Sequence, residues 1–450
     1  MPISNVDALN LGKFLQIAYS EGVRNQISTD YRDWEMIKRA RVSDPDGRQM
    51  NFLIQTSLGP SAVQYVAPGA AGLFPASQQI STQECNAIYK EIASTIEIEY
   101  SIWDRARKSP SKYAEPLAKE IESKTSASKR RMAADLYGDG TGVVGEFASQ
   151  VSLASGVLVL QLSTSATSPG HVGFFEFGDI LSAHQPDGTA RNHTAAPASN
   201  LYRVVARNRK LDQVTLQALA ADGTNASPAA TNLVAGDFLY RAGQPTKPNR
   251  TSPGDYGSVT EAIPGLLSLA AADGRVVHGI TMSGVTAGSH IDASGNPLDV
   301  SQIQELMSNV KVNVGQSAYS WKQLVMAPEA LDNLIESRET DRRFNSVEDT
   351  TRGARKFVYQ HQNDSLECVT SEYVHKKLIY ALPEAKSGQK VLESYMTDFE
   401  PVTMGNQMSE FHLKPASGGY QRSVVSFMQA MGTLVCKHPA AIAVLKNFAI

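Results

Sequence analysis

From Gln49 to Tyr89 the chain carries a single charged residue, Glu84. A stretch this long without charge is seldom left facing water in a monomer. It is either the core of a plain β-domain or a surface that a neighbour covers, because charge depletion marks the buried centre of a protein interface. Within it, Asn51-Phe52-Leu53-Ile54-Gln55-Thr56 and Ala62-Val63-Gln64-Tyr65-Val66 read as strands, and Leu58-Gly59-Pro60-Ser61 as a turn. Ser94 to Tyr100 alternates polar and apolar residues, as a half-buried strand does.

The rest of the chain is ordinary in charge. Its 42 Lys and Arg against 45 Asp and Glu leave a net charge of -3, too weak a field to condense nucleic acid by counterion release. The 450 residues correspond to roughly three domain-sized units. Cys85, Cys368 and Cys436 are far apart and odd in number, which suggests neither a zinc site nor a disulfide framework and fits synthesis in a reducing compartment. The opening residues have no basic and apolar secretory pattern, and no run of 18 apolar residues offers a membrane span. The sequons at Asn192, Asn225, Asn249 and Asn363 are then without meaning.

Residues 1–40 are expected to form an arm with two short helices, the first on Leu9, Leu11, Phe14, Leu15 and Ala18, the second near Trp34, Ile37 and Lys38. Charges in it nearly cancel. A long helix follows Ser109-Pro110, with Pro116 as an alternative start or a kink. Leu117, Ile121, Ser128, Met132 and Leu136 form its apolar stripe, and Gly138 is the expected C-cap. From about Phe147 to Gly243 short β-runs alternate with turns. Phe177-Gly178-Asp179-Ile180 and Val234-Ala235-Gly236-Asp237-Phe238 look like matching strand starts. Strand spacing near ten residues predicts an inserted sandwich or barrel.

Residues 245–300 form an extended connection rich in Gly, Pro, Ser and Asp. Val300–Val314 is an amphipathic helix on Ile303, Leu306, Met307 and Val310. Leu324 to Ala327 is a strand running into a helix at Pro328, and further strands are expected at 356–360, 366–370, 377–382, 423–428 and 433–437. The fold class is α+β with nested insertions.

No catalytic constellation appears. Gly140-Thr141-Gly142-Val143-Val144-Gly145 matches a dinucleotide fingerprint by letters, but a helix precedes it and no helix follows to hold a pyrophosphate. Asp135 and Asp139 lack the alternating-oxygen loop of a calcium site. The nine histidines are scattered, there is no HExxH, nucleophile elbow or P-loop, and Asp341-Arg342-Arg343 reads as a solvated loop. The chain is expected not to be an enzyme and to have no catalytic, cofactor-binding or metal-binding residues.

Taken in order, the segments resemble the major capsid proteins of tailed phages, the HK-ninety-seven-type fold. The resemblance lies in arm, extended hairpin, long helix and α+β body. It also lies in Phe74-Pro75-Ala76-Ser77, Ala133 to Gly142, Ile263-Pro264-Gly265-Leu266, Leu324 to Pro328, and Thr433 to Pro439. It implies an N-terminal arm (1–40), an extended loop lying over a neighbouring subunit (41–105), and a peripheral domain with a spine helix (106–146). An inserted β-domain (147–243), more of the peripheral domain (244–317), an axial domain (318–415) and a return to the peripheral domain (416–450) would follow. The implied function is assembly through hexamers and pentamers into an icosahedral shell around double-stranded DNA, which would be contacted non-specifically. The implied partners are further copies, a separate scaffolding protein, a portal and a decoration or cement protein, with no membrane, in a virion assembled in the bacterial cytoplasm. Some members weld subunits through a lysine near the hairpin tip; no lysine lies between Arg48 and Lys90, so a non-covalent shell is expected. The rivals are an encapsulin-type compartment, whose chains are shorter and lack such an insert, and a secreted or tail-associated β-domain adhesin, which would need a secretion signal or fibre repeats.

Overall fold

A computed structural model describes residues 38–41, 49–57, 81–101, 104, 110–166, 168, 170–194, 199–228, 230–242, 262–270, 276–282, 287–315, 319–337, 358–361, 364–385, 391–396, 400–401, 412–416 and 419–449. The first expected arm helix, the strand at 62–66, the stretch at 74–77 and the charge run at 341–343 lie outside these.

In chain order, β1 (Lys38–Arg41) precedes a hairpin of β2 (Gln49–Ser57) and β3 (Ser81–Ile88), then β4 (Lys90–Glu99) and helix α1 (Pro110–Tyr137). Six strands follow: β5 (Val143–Ala154), β6 (Val157–Leu162), β7 (Ile180–His184), β8 (Leu201–Asn208), β9 (Gln213–Leu219) and β10 (Phe238–Arg241). Next come α2 (Leu266–Leu269), β11 (Val276–Val277), β12 (Ile280–Thr281), β13 (Ser289–Asp292), α3 (Val300–Val314), β14 (Tyr319–Met326) and α4 (Pro328–Ser337). The chain ends with β15 (Val358–His361), β16 (Asp364–Thr370), β17 (Leu378–Ala385), β18 (Leu392–Met396), β19 (Glu400–Pro401), β20 (His412–Ala416), β21 (Gly419–Cys436) and β22 (Ala443–Lys446).

Strand β21 is the rail of the first sheet. It pairs antiparallel with β4 from Ser423 opposite Glu99 to Gly432 opposite Lys90, and with β18, β19 and β20 along its length. β1 adds in parallel to β18. Lys38 therefore starts a strand, not part of a helix: backbone pairing with Glu393 overrides a weak local helical pattern. The two strands expected at 423–428 and 433–437 are one, because the partners on both sides hold the intervening Gln429 to Gly432 extended.

The second sheet, in the order β13-β22-β17-β14-β16-β15, is buried on both faces. Ile303, Leu306, Met307 and Val310 of α3 pack against Trp321, Leu324, Met326, Ile379, Ala381 and Leu445 on one side. The alternate residues Val325, Leu378, Tyr380, Leu382 and Val444 face a second cluster that includes Leu136 and Tyr137 of α1. Two-sided burial explains the unbroken apolar runs of β14 and β17. Trp321, fully buried, donates its indole N–H to the carbonyl of Ala441 at 2.9 Å. Strand pairing thus groups residues differently from the boundaries drawn at 318 and 415. α3 and β22 sit with β14, while β18 to β20 sit with β4 and β21. Amphipathic periodicity shows that an element has a buried face, not which sheet receives it.

The third unit is a closed barrel in the order β10-β5-β6-β9-β8-β7. Alternation along β6 points Leu158, Leu160 and Leu162 inward, where they meet Tyr202, Val204, Val214, Leu216, Leu181 and Leu239. Ser155 and Gly156, at φ 51° and 78°, make the two-residue turn that joins β5 to β6. The matching strand starts are genuine turns, with Gly178 and Gly236 at φ 87° and 91°, and they launch β7 and β10, which pair with each other.

α1 begins at Pro110 and runs through Pro116. Ser128, Met132, Ala133, Leu136 and Tyr137 are buried along its second half. The amide of Gly138 turns back to the carbonyl of Asp135 at 3.1 Å, but the left-handed glycines are Gly140 and Gly142, so the reversal comes later than the expected cap. Residues 262–265 cross this helix end: Ala262 donates to the carbonyl of Gly140 at 2.9 Å, and a Cβ on Gly265 would stand 2.3 to 2.6 Å from the carbonyl oxygens of Asp135, Gly138 and Leu136.

Two consequences can be measured. Gly265→Ala should cost about 2–3 kcal/mol by overpacking against helix-end backbone that cannot move aside. Denaturant unfolding checks this, and a loss under about 0.5 kcal/mol would show that the close approach does not exist. Cys85 and Cys436 are fully buried, and burial pushes the thiols of Cys85, Cys368 and Cys436 up to about 11, 12 and 12. Little thiolate then exists at pH 8, so a disulfide-exchange reagent should label the native chain slowly and all three thiols at once on unfolding. Prompt labelling of native Cys85 or Cys436 would contradict this packing.

Candidate assembly surface

The β2–β3 hairpin has two unlike faces. Side chains alternate across an antiparallel pair, so Met50, Phe52 and Ile54 share a face with Gln83, Cys85 and Ala87. On that face Ile54, Cys85 and Ala87 are buried, and Phe52 packs half-buried with its ring edge-on to His278 at 5.6 Å. The amide of Asn86 donates to the carbonyl of His278 at 2.9 Å, pinning the hairpin to the β11–β12 turn. Burial holds His278 down at about 4, so it stays neutral.

The other face is uncovered among the described residues. Leu53 is 72% exposed and Ile88 is 50% exposed. Glu84 accepts a hydrogen bond from the Asn51 amide at 2.9 Å, so the one carboxylate of the uncharged run is tied down within the hairpin. What remains outward is apolar and amide surface borne on a two-stranded ribbon whose edges no third strand covers among the described residues.

The barrel, by contrast, is fastened. Arg130 of α1 reaches Glu176 at 2.8 Å. Arg207 bonds the carbonyls of Gly173 and Phe175 and the Glu372 carboxylate at 2.9 to 3.1 Å. Arg209 spans Glu329 of α4 and the carbonyls of Glu372 and Val374, and Asp212 pairs with Lys376. Burial raises the Glu176 carboxyl against the pull of Arg130 and Arg207. Beneath them Asp135, also raised by burial, lies 3.8 Å from Arg131, and Arg241 bonds Asp179 at 3.1 Å. Sequence reading singled out Asp135 but not its partners Arg131 and Arg241, nor the Arg207 and Arg209 contacts that fasten the barrel.

The other sequence features are structural in their surroundings. Gly140 to Gly145 links α1 to β5, a strand, so no helix N-terminus points at a phosphate position. Asp139 accepts from the amide and hydroxyl of Thr141, closing a local turn. Among the described residues no three His, Cys, Asp or Glu side chains gather as metal ligands, and no helix is long and apolar enough to cross a membrane.

No known protein family matches the sequence, and no curated protein is similar to it. Solved structures are. The chain is similar to one from the capsid of cyanophage A-1(L), with a TM-score of 0.51 at 10% identity, over 98% of this chain and 99% of that one. It is also similar to a capsid chain of a native GTA particle (TM-score 0.46, 11% identity, all of both chains) and to an encapsulin of Synechococcus elongatus (TM-score 0.41, 10% identity, 100% of this chain and 97% of that one). Identity this low leaves the backbone path as what is shared. By fold this chain is a phage-capsid-type α+β protein, similar to the cyanophage capsid chain over nearly the whole of both.

Proposed function

We propose that the chain is the major capsid protein of a tailed double-stranded-DNA bacteriophage, self-assembling through hexamers and pentamers into an icosahedral shell. The observation that carries this reading is the likeness to the cyanophage capsid chain over nearly the whole of both chains. The outer face of the hairpin, where Glu84 is the one charged side chain, supports it. Leu53 and Ile88, exposed on a two-stranded ribbon, are costly in a monomer and useful to a protein that covers them with a second copy, where main-chain and apolar contacts repeat by symmetry. The role is structural, without catalysis or cofactor.

Its partners, on this reading, are other copies, a scaffolding protein, a portal and a decoration protein, in a virion assembled in the bacterial cytoplasm. With a net charge of -3 the chain has little field with which to gather DNA, so the genome is driven in by a motor and touched non-specifically.

Expression with a candidate scaffold, followed by negative-stain electron microscopy, should show closed particles or rings of five and six; a persistent monomer would sink the reading. Leu53→Lys sharpens the test. Leu53 lies opposite Glu84, so the lysine gains a cross-strand partner and the fold should shift by no more than about 0.5 kcal/mol. A charge placed in the covered face should nonetheless abolish or strongly reduce particle yield. Unchanged yield would show that this face is not a subunit contact.

A further inference from the structure

The barrel meets the turn between β16 and β17 around two buried histidines that neither the fold nor the proposed function uses. His171 Nδ1 accepts from the amide of Gly173 at 3.0 Å, so its Nε2–H donates across the junction to the carbonyl of Tyr373 at 2.9 Å. Both ring nitrogens are engaged, and only in the neutral ring. The His375 ring stands perpendicular to it at 5.4 Å, its Nδ1 accepting from the amide of Lys377 at 3.1 Å. The two surfaces touch backbone to backbone: a Cβ on Gly173 would stand 2.3 Å from the carbonyl oxygen of Glu372.

Charged groups face this pair from every element around it. The barrel supplies Arg207, Arg209 and Asp212, the turn supplies Glu372, Lys376 and Lys377, α4 supplies Glu329, and Arg130 of α1 holds Glu176 nearby. Glu372, Glu329, Glu176 and Asp212 are each paired with one of the cations, so among these described carboxylates none is left over for an imidazolium. Burial holds His171 well below its ordinary range, and His375, Arg209 and Arg207 add to this against the Tyr373 carbonyl. Burial, then Lys376, Lys377 and Arg209, hold His375 down at about 3.

We propose that this junction is an acid-released latch: protonation of His171 and His375 unfastens the barrel from the 371–377 turn while the barrel itself stays folded. A proton on His171 Nδ1 would set a donor against the Gly173 N–H, and two imidazoliums would stand among five cations and four already paired carboxylates. The sign follows from linkage. The closed latch favours neutral rings, so it is fully stable above the ordinary histidine value of 6.5 and weakens as pH falls from there towards about 3. Each ring contributes up to about tenfold in the opening equilibrium per pH unit within that window.

Amide hydrogen exchange on the full chain, corrected for the intrinsic pH dependence of exchange, reads such openings. Between pH 6.5 and 4.5, peptides covering 172–176 and 371–378 should speed up at least tenfold relative to strand 213–219. In His171→Gln with His375→Asn, amides that keep the same hydrogen bonds and cannot titrate, the acceleration should vanish. The ion pairs are common to both proteins and cancel. A flat wild-type profile, an equal acceleration in the double variant, or barrel strands opening in step with the turn would each overturn the proposal. Should the double variant not fold, the wild-type profile decides alone, and His375→Asn by itself should halve its logarithmic slope.

Discussion

The last turns of α1 are the support on which the three units rest. Met132, Leu136 and Tyr137 enter one cluster with barrel residues such as Leu160 and Phe175, with Val325 and Tyr380 of the second sheet, and with Leu434 and Cys436 at the end of β21. A helix so placed cannot shift without disturbing all three. Its C-terminal carbonyls cannot be left bare in such a core, since each orphaned group costs roughly 1–3 kcal/mol. The structure meets that demand with backbone, through the Gly138 turn and the crossing of residues 262–265. Only glycine fits at 265, because the crossing backbone approaches three carbonyl oxygens more closely than any Cβ could.

The same helix dictates the electrostatics of the barrel junction. Arg130 and Arg131 project from a face that the barrel covers, so their charges need partners of their own, and Glu176 and Asp135 supply them. Buried ion pairs rarely add net stability over apolar packing, yet breaking one by removing a partner costs about 3–5 kcal/mol. A junction built this way is tolerant of nothing except its own complement. It fixes the orientation of the barrel rather than its fold, which its own apolar interior maintains.

Most local elements were legible in the sequence. The helix at 300–314 was readable from Ile303, Leu306, Met307 and Val310, the strand into helix at 324–328 from an apolar run ending in proline, and the barrel from alternation and turn spacing. Pairing was not. Nothing around Lys38 announces Glu393 as its partner, and a glycine inside 429–432 reads as a break until the neighbours on both sides are known. The junction was least visible of all. His171 and Tyr373 lie 202 positions apart, and a histidine whose role is to stay uncharged has no local signature.

The hairpin and the barrel junction show how one chain divides its chemistry. At the barrel junction the contacts within the chain are charged and directional, which makes them specific and intolerant of misplacement. The outer hairpin face is apolar and amide apart from Glu84, which accepts a hydrogen bond from the Asn51 amide. Apolar contact is non-directional and individually modest, about 25 cal/mol per Å² covered, so a wrongly seated neighbour is released without breaking a buried charge pair. If the chain is a shell subunit, as proposed, rigid subunits joined by weak and repeated contacts would let the shell correct errors as it closes. Strength would then come from the number of contacts in the closed particle, and accuracy from the weakness of each.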